Sequence, residues 1–488
     1  MMTSARYLSF LGTLFIATIA PAGAQVSDLP DLGEQSAAII SIAEERELGE
    51  NFMRSAHQQL RFIDDPELNG YIQALGQKFA KLSGSQQEFH FFIINDNSLN
   101  AFAVPGGFIG VHTGLILATQ TEAELASVLA HETAHISQRH LPRMIARAKE
   151  KSSLPTIAAL IAAAMLGGQA AEAAIVMTAA KSAKNQLDYT REFEREADRI
   201  GMQILAKAQY EPRAMSSFFQ RLQTSSRTYD TGAPEFLRTH PVTSNRIAEA
   251  RARADRYPKT FTQDSSAFHH FRARVRVLSS DDPAQAVNYF AGGFRTGKIA
   301  DENAHRYGYS LALLKANRLS EASKQAALLL SRNPGKVDYQ MLKAEIEMAM
   351  GRLNASIGLL ARAHQSHPDN PVISQRYAAA LLRGGQANKA KQLLRKVLRK
   401  HPGNPMLQKM LAAAAVDSGD PLTSHRALAE FYYLNGNARA AIEQLMIANR
   451  YTKGNFYDQS GVDARMQEIK GEIARYKDDK DDKKHKSH

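Results

Sequence analysis

The 488-residue chain contains no cysteine. A disulfide framework is therefore excluded, and so is a lipid-modified cysteine as an anchor. Long apolar runs in the interior are also missing. Leu154 to Leu166, apolar apart from Thr156, ends at Gly167-Gly168-Gln169, short of the roughly 20 residues that a membrane-spanning helix needs. The net charge of +12 raises nucleic-acid binding as a possibility, but no aromatic-rich basic motif accompanies it. An anionic membrane surface or acidic clients suit that charge better. With 44% hydrophobic residues, the chain can pack two or three cored domains.

The first 24 residues stand outside those domains. Arg6 precedes an apolar run from Tyr7 to Ala20, and Ala22-Gly23-Ala24 forms a small-x-small cleavage site. This is the pattern of an export signal. A polar lead-in covers residues 25–40, and the exported chain is expected to be soluble, with at most peripheral membrane contact.

The strongest chemical signal is His131-Glu132-Thr133-Ala134-His135. On a helix, residues four apart share a face, so two imidazoles can reach one cation. Glu132 projects beside them and is placed to act as general base. Thr121-Glu122-Ala123-Glu124 reads as a capping box that starts this helix, with Leu125, Val128, Leu129 and Ile136 as its buried stripe. The longer His-Glu-x-x-His-x-x-Gly-x-x-His form is excluded, because Gln138 and Leu141 stand where Gly and His are required. His140 falls one position too early and reads as a polar residue near a helix end.

A further ligand is offered by Glu194-Arg195-Glu196-Ala197-Asp198, in a second helical run from Thr190 to about Lys207. Glu194 and Asp198 share a face. One carboxylate can hold the metal while the other accepts the free N–H of a ligating imidazole.

These residues resemble peptidase family M48, which joins His-Glu-x-x-His to a downstream Glu-x-x-x-Asp. Asn100-Ala101-Phe102-Ala103-Val104-Pro105-Gly106-Gly107 is similar to that family's edge strand, and Thr239-His240-Pro241 with Arg246 to its downstream His-Pro loop. The resemblance spans about residues 40–255. It implies a zincin-like fold binding one Zn2+ through His131, His135 and Glu194, with Glu132 as base, Asp198 behind a ligand and Glu196 as a fallback ligand. It also implies that His240 caps the metal in a latent state. Arg246 is expected to form an ion pair near the site or to meet the oxyanion. Residues 100–104 are expected to align a peptide substrate by backbone pairing.

Helices are expected from Ser41 to Phe62 and from Asp65 to Leu82, and short strands over 89–94, 100–104 and 108–112. Residues 154–180 are expected to form a helical hairpin over the cleft that receives unfolded clients, with membrane-surface contact as the alternative. Glu211-Pro212 opens another helix, to about Thr228. Beyond residue 265 the chain turns repetitive. Pro334, Pro368 and Pro402 are each 34 apart, as are Asn317, Gly351, Gly385 and Gly419. That period marks tetratricopeptide repeats. The small positions Ala322, Ser356 and Ala390 follow it, and the last copy, at Leu434-Asn435-Gly436, is offset by half a repeat.

The expected architecture is thus mainly α with a small β-sheet. A metallopeptidase domain over 41–265 is followed by an α-solenoid over 266–470 and a charged, disordered tail over 471–488. Two functions fit. One is a periplasmic zinc endopeptidase whose repeats engage client proteins. By the resemblance these are outer-membrane β-barrel proteins and their assembly machinery, with a chaperone-like role alongside. The other is a non-proteolytic chaperone or scaffold whose zinc site is capped or structural.

Overall fold

A computed structural model describes residues 40–149, 191–226, 235–260, 263–452 and 454–485. The export signal, most of the lead-in and the 154–180 segment lie outside the described residues.

Two helices open the fold, α1 (Ile42–Gln59) and α2 (Pro66–Leu82), each started by a side-chain cap. Ser41 and Glu44 form a reciprocal capping box on α1, and Asp65 accepts from the Leu68 N–H on α2. Three strands follow, β1 (His90–Ile94), β2 (Ala101–Val104) and β3 (Phe108–His112). Their order is β1-β3-β2, with β1 parallel and β2 antiparallel to β3. β2 is therefore an edge, and among the described residues no further strand covers it.

After α3 (Thr113–Ala118) comes α4 (Glu122–Ser137), which carries His131, Glu132 and His135. The sequence suggests a one-sided stripe, but α4 is buried on every side from Glu122 to Ala134. It is the central helix of the peptidase half, packed among α2, the sheet and later helices. The capping box is also only half formed. Thr121 accepts from the Glu124 N–H, while Glu124 Oε2 takes the N–H of Gln120 instead. Helix α5 (His140–Lys149) follows, then α6 (191–207). Gly201 lets α6 lie directly on α4, since a Cβ there would sit 3.0 Å from the His131 Cα and 3.1 Å from the Ala130 carbonyl oxygen. That approach delivers Glu194 and Asp198 to the histidines.

Helices α7 (Arg213–Ser226), α8 (Glu235–Thr239) and α9 (Ser244–Ala254) complete the peptidase half. Helix α10 (Ser266–Leu278) joins it to the repeats. Phe268, Phe271 and Val275 enter the peptidase core, whereas Ala273 and Val277 enter the first repeat core. One helix thus belongs to both halves.

Helix pairs then stack, beginning with Glu302–Lys315 and Leu319–Arg332. The 34-residue period has a backbone cause. Asn317, Gly351, Gly385 and Gly419 all adopt positive φ, from 57° to 77°, in the turns inside successive pairs, a conformation that favours glycine and tolerates asparagine. Ala322, Ser356 and Ala390 are fully buried where helices cross. Gly436, also at positive φ, makes the next tight turn half a period after Gly419. Helix Phe456–His485 extends over residues 471–485 of the stretch expected to be a disordered tail. No glycine or proline interrupts residues 472–485 to stop that helix. No described helix is long and apolar enough to cross a membrane.

The repeats curl back onto α2 through a buried charged node. Arg274 Nε and Nη2 donate to Asp65 at 2.8 and 2.7 Å, and Nη1 donates to the Tyr307 hydroxyl at 2.8 Å. Arg376, on the helix Pro371–Arg383, donates to Asp65 at 3.0 Å and to Glu67 at 3.0 Å. Burial works against the Asp65 charge, but Arg274 and Arg376 outweigh it and hold its pKa below the ordinary value. Arg274→Ala leaves the buried Asp65 carboxylate, and Glu67 at 3.1 Å from Nη1, without a main partner. It should cost about 3–5 kcal/mol, read as a lower urea midpoint, with Arg376→Ala costing less because Arg376 is half-buried. An unshifted midpoint in Arg274→Ala would remove the node from the account.

Candidate active site

Four side chains from three elements meet at one point. His131 and His135 come from α4, Glu194 from α6, and His240 from the turn after α8. One donor atom from each lies within 4.8 Å of the others. His131 Nε2 is 3.1 Å from His135 Nε2, 3.4 Å from His240 Nδ1 and 3.4 Å from Glu194 Oε2. Glu194 Oε1 is 3.3 Å from His135 Nε2 and 2.8 Å from His240 Nδ1. A tetrahedral cation with ligands at ~2.0–2.1 Å needs donor separations of about 3.3 Å. The spacing and the three-nitrogen, one-carboxylate donor set both fit such an ion.

The electrostatics point the same way. Burial opposes charge on His131, yet Asp198 and Glu194 outweigh it and push its pKa up to about 9. The pocket therefore favours positive charge. Burial holds His135 well below its ordinary value, so it is neutral with a free lone pair. Glu194 is held well below the carboxylate range, because His240, Arg246 and the two α4 histidines overcome its burial. Glu132 differs: burial pushes it up, and both of its oxygens are buried with no hydrogen-bond partner among the described residues. His240 Nε2 stands 3.6 Å from Glu132 Oε1, so His240 lies between the donor cluster and that carboxylate.

Behind the cluster, Asp198 Oδ1 is 3.0 Å from His131 Nδ1. Arg246 clasps Asp198 through Nε at 2.6 Å and Nη2 at 2.8 Å, and its Nη1 lies 2.7 Å from Glu194 Oε2. Of the two expectations for Arg246, the structure holds the ion pair. Glu196 faces away from the cluster, toward His140 at 3.1 Å and Arg143 at 2.8 Å. In front, a cleft of about 180 Å³ runs from β2 to α6, lined by Phe102, Val104, Ile136, Met144 and Phe193 beside Glu132. Edge strand β2 thus borders the cleft.

Comparison with known proteins gives the family. The profile of peptidase family M48 matches residues 66–254, and a tetratricopeptide repeat profile matches residues 347–414. The beta-barrel assembly-enhancing protease of Escherichia coli K12 is 32% identical over 96% of this chain and 97% of its own length. The chain belongs to the beta-barrel assembly-enhancing protease family of M48 metallopeptidases. Its member in Yersinia pestis is 30% identical over 91% of each chain. The mitochondrial metalloendopeptidase OMA1 of Schizosaccharomyces pombe is 31% identical over 36% of this chain and 50% of its own length. As a member of this family the chain is a metal-dependent endopeptidase with a repeat half.

His140, read from the sequence as a polar residue near a helix end, packs against the ring of His135. It lies 4% exposed, with Nδ1 2.9 Å from His135 Nδ1. Five residues along a helix would place it off the His135 face. Arg139, at φ 52°, ends α4 in a left-handed turn and swings His140 back against that ring. An arginine in that conformation leaves no sequence signal comparable to a glycine.

Proposed function

We propose that the chain is a periplasmic zinc endopeptidase that clears misassembled outer-membrane β-barrel proteins, with its repeats holding these clients or their assembly machinery in a chaperone-like role. The observation that carries the chemistry is the convergence of His131, His135 and Glu194 beside an unpartnered Glu132. The names of its relatives support the substrate class, and the Arg6 to Ala24 export pattern supports the compartment. We place the signal in 1–24, the peptidase domain in 41–265 and the repeats in 266–470.

Zinc, when bound, supplies Lewis acidity toward a water and a peptide carbonyl. His131, His135 and Glu194 are its ligands. Glu132 accepts a proton from the attacking water and returns it to the leaving amine, and its raised pKa suits both transfers. Asp198 orients His131, and Arg246 fixes Asp198 and Glu194. Residues 100–104 receive an extended peptide along the open edge of β2, which makes binding tolerant of side-chain sequence.

His240 supports the alternative of a closed site, since four protein donors are the mark of structural zinc. Glu132 decides against that. A buried carboxylate without hydrogen-bond partners costs stability, and a structural site has no use for it. His240 is instead a removable cap, held by the five-residue α8 through its N–H to the Phe236 carbonyl. His240→Ala should therefore raise cleavage of an unfolded protein such as casein severalfold while zinc content stays at one per chain. A fall in cleavage would make His240 a participant in the reaction rather than its brake.

A further inference from the structure

A histidine that offers Nε2 to a metal must carry its proton on Nδ1, and something must accept that N–H. For His131 the carboxylate nearest Nδ1 is that of Asp198, at 3.0 Å. For His135, the partner of Nδ1 among the described residues is another imidazole, that of His140, at 2.9 Å. Beyond it, His140 Nε2 meets Glu196 Oε2 at 3.1 Å, and Arg143 Nη1 donates to the same oxygen at 2.8 Å.

We propose that His140, fixed by Glu196, is the positioning residue of the metal centre: it accepts the Nδ1–H of His135 and so presents His135 Nε2 to the cation. The proposal rests on His135 being a ligand. With His135 Nε2 on the cation and its proton on Nδ1, one arrangement of the His140 protons satisfies the chain of contacts. If His140 donated from Nδ1, its Nε2 lone pair would face the Glu196 carboxylate. With the proton on Nε2, His140 donates to Glu196 and its Nδ1 is free to accept from His135. Glu196 thus sets the tautomer of His140, which sets that of His135.

The two α4 histidines are then supported alike. Each Nδ1 is backed by an α6 carboxylate that an arginine holds in place: Asp198 with Arg246 for His131, Glu196 with Arg143 for His135. The second path is one imidazole longer, because the left-handed turn at Arg139 brings the His140 ring against His135. Glu196, offered by the sequence as a fallback ligand, has this different task.

His140 also stacks on Phe193, with ring centroids 4.7 Å apart and planes at 20°, so a purely structural role must be separated from positioning. His140→Phe keeps the stack and removes both nitrogens; His140→Asn restores an acceptor near the Nδ1 position. Zinc affinity of the purified full chain is measured by competition with a chromophoric chelator, alongside the melting temperature of the metal-free protein. His140→Phe should weaken zinc binding about 10- to 100-fold with the metal-free melting temperature unchanged. His140→Asn should recover most of that loss, and Glu196→Ala should fall between. Unaltered affinity in His140→Phe, with zinc lost in Glu194→Ala, overturns the proposal and leaves the metal site standing. So does a loss that tracks the melting temperature and is not recovered by asparagine. Retention of zinc in Glu194→Ala itself brings down the site reading, and this proposal with it.

Discussion

Glu132→Gln is expected to retain one zinc per chain and a melting temperature no lower than the wild type's while cleaving an unfolded protein about 10²–10⁴-fold more slowly, the usual contribution of a positioned general acid–base group. The substitution preserves volume at a site that is 0% exposed, so packing around α4 is kept. It also replaces a buried carboxylate, both of whose oxygens lack partners, with a neutral amide, and on that ground stability should hold or rise. What is lost is the one carboxyl beside the donor cluster, among the described residues, whose pKa is raised and which can take a proton and give it back. Turnover by the glutamine variant at the wild-type rate would exclude Glu132 as the base.

Glu194→Ala should have the largest effect on the metal. Glu194 supplies the cluster's carboxylate oxygens, at 3.3 Å from His135 Nε2 and 3.4 Å from His131 Nε2. Its removal leaves only imidazoles and takes away the negative charge that offsets a divalent cation. Zinc affinity should drop by more than the roughly 100-fold that loss of an outer partner produces, and activity with it. Asp198→Asn, which keeps a hydrogen-bond acceptor behind His131, should lose far less. Equal losses in the two variants would make Glu194 no more than a charge in the background.

Features fixed by local geometry are the ones legible in the sequence. Four-residue spacing alone puts His131 with His135 and Glu194 with Asp198 on single helix faces, and a 34-residue recurrence of asparagine and glycine marks left-handed turns wherever it occurs. What escaped were contacts between distant residues. Asp65 and Arg274 are 209 positions apart, and Asp65 and Arg376 are 311 apart; nothing in either neighbourhood signals the other. The full burial of α4 was hidden because its polar residues, Glu122, Glu124 and Glu132, look solvent-facing until helices from both sides enclose them. The contact of His140 with His135 was hidden for a local reason, the positive φ of Arg139, which no propensity for arginine foretells.

The central claim is that two imidazoles of one helical turn and a carboxylate of a later helix share one cation. Its most direct test is a crystal structure of the zinc-loaded chain with anomalous data collected across the zinc edge. A single anomalous peak bonded to His131 Nε2, His135 Nε2 and a Glu194 oxygen is the expected result. A peak elsewhere, or one at the histidines with Glu194 turned out of the cluster, contradicts it.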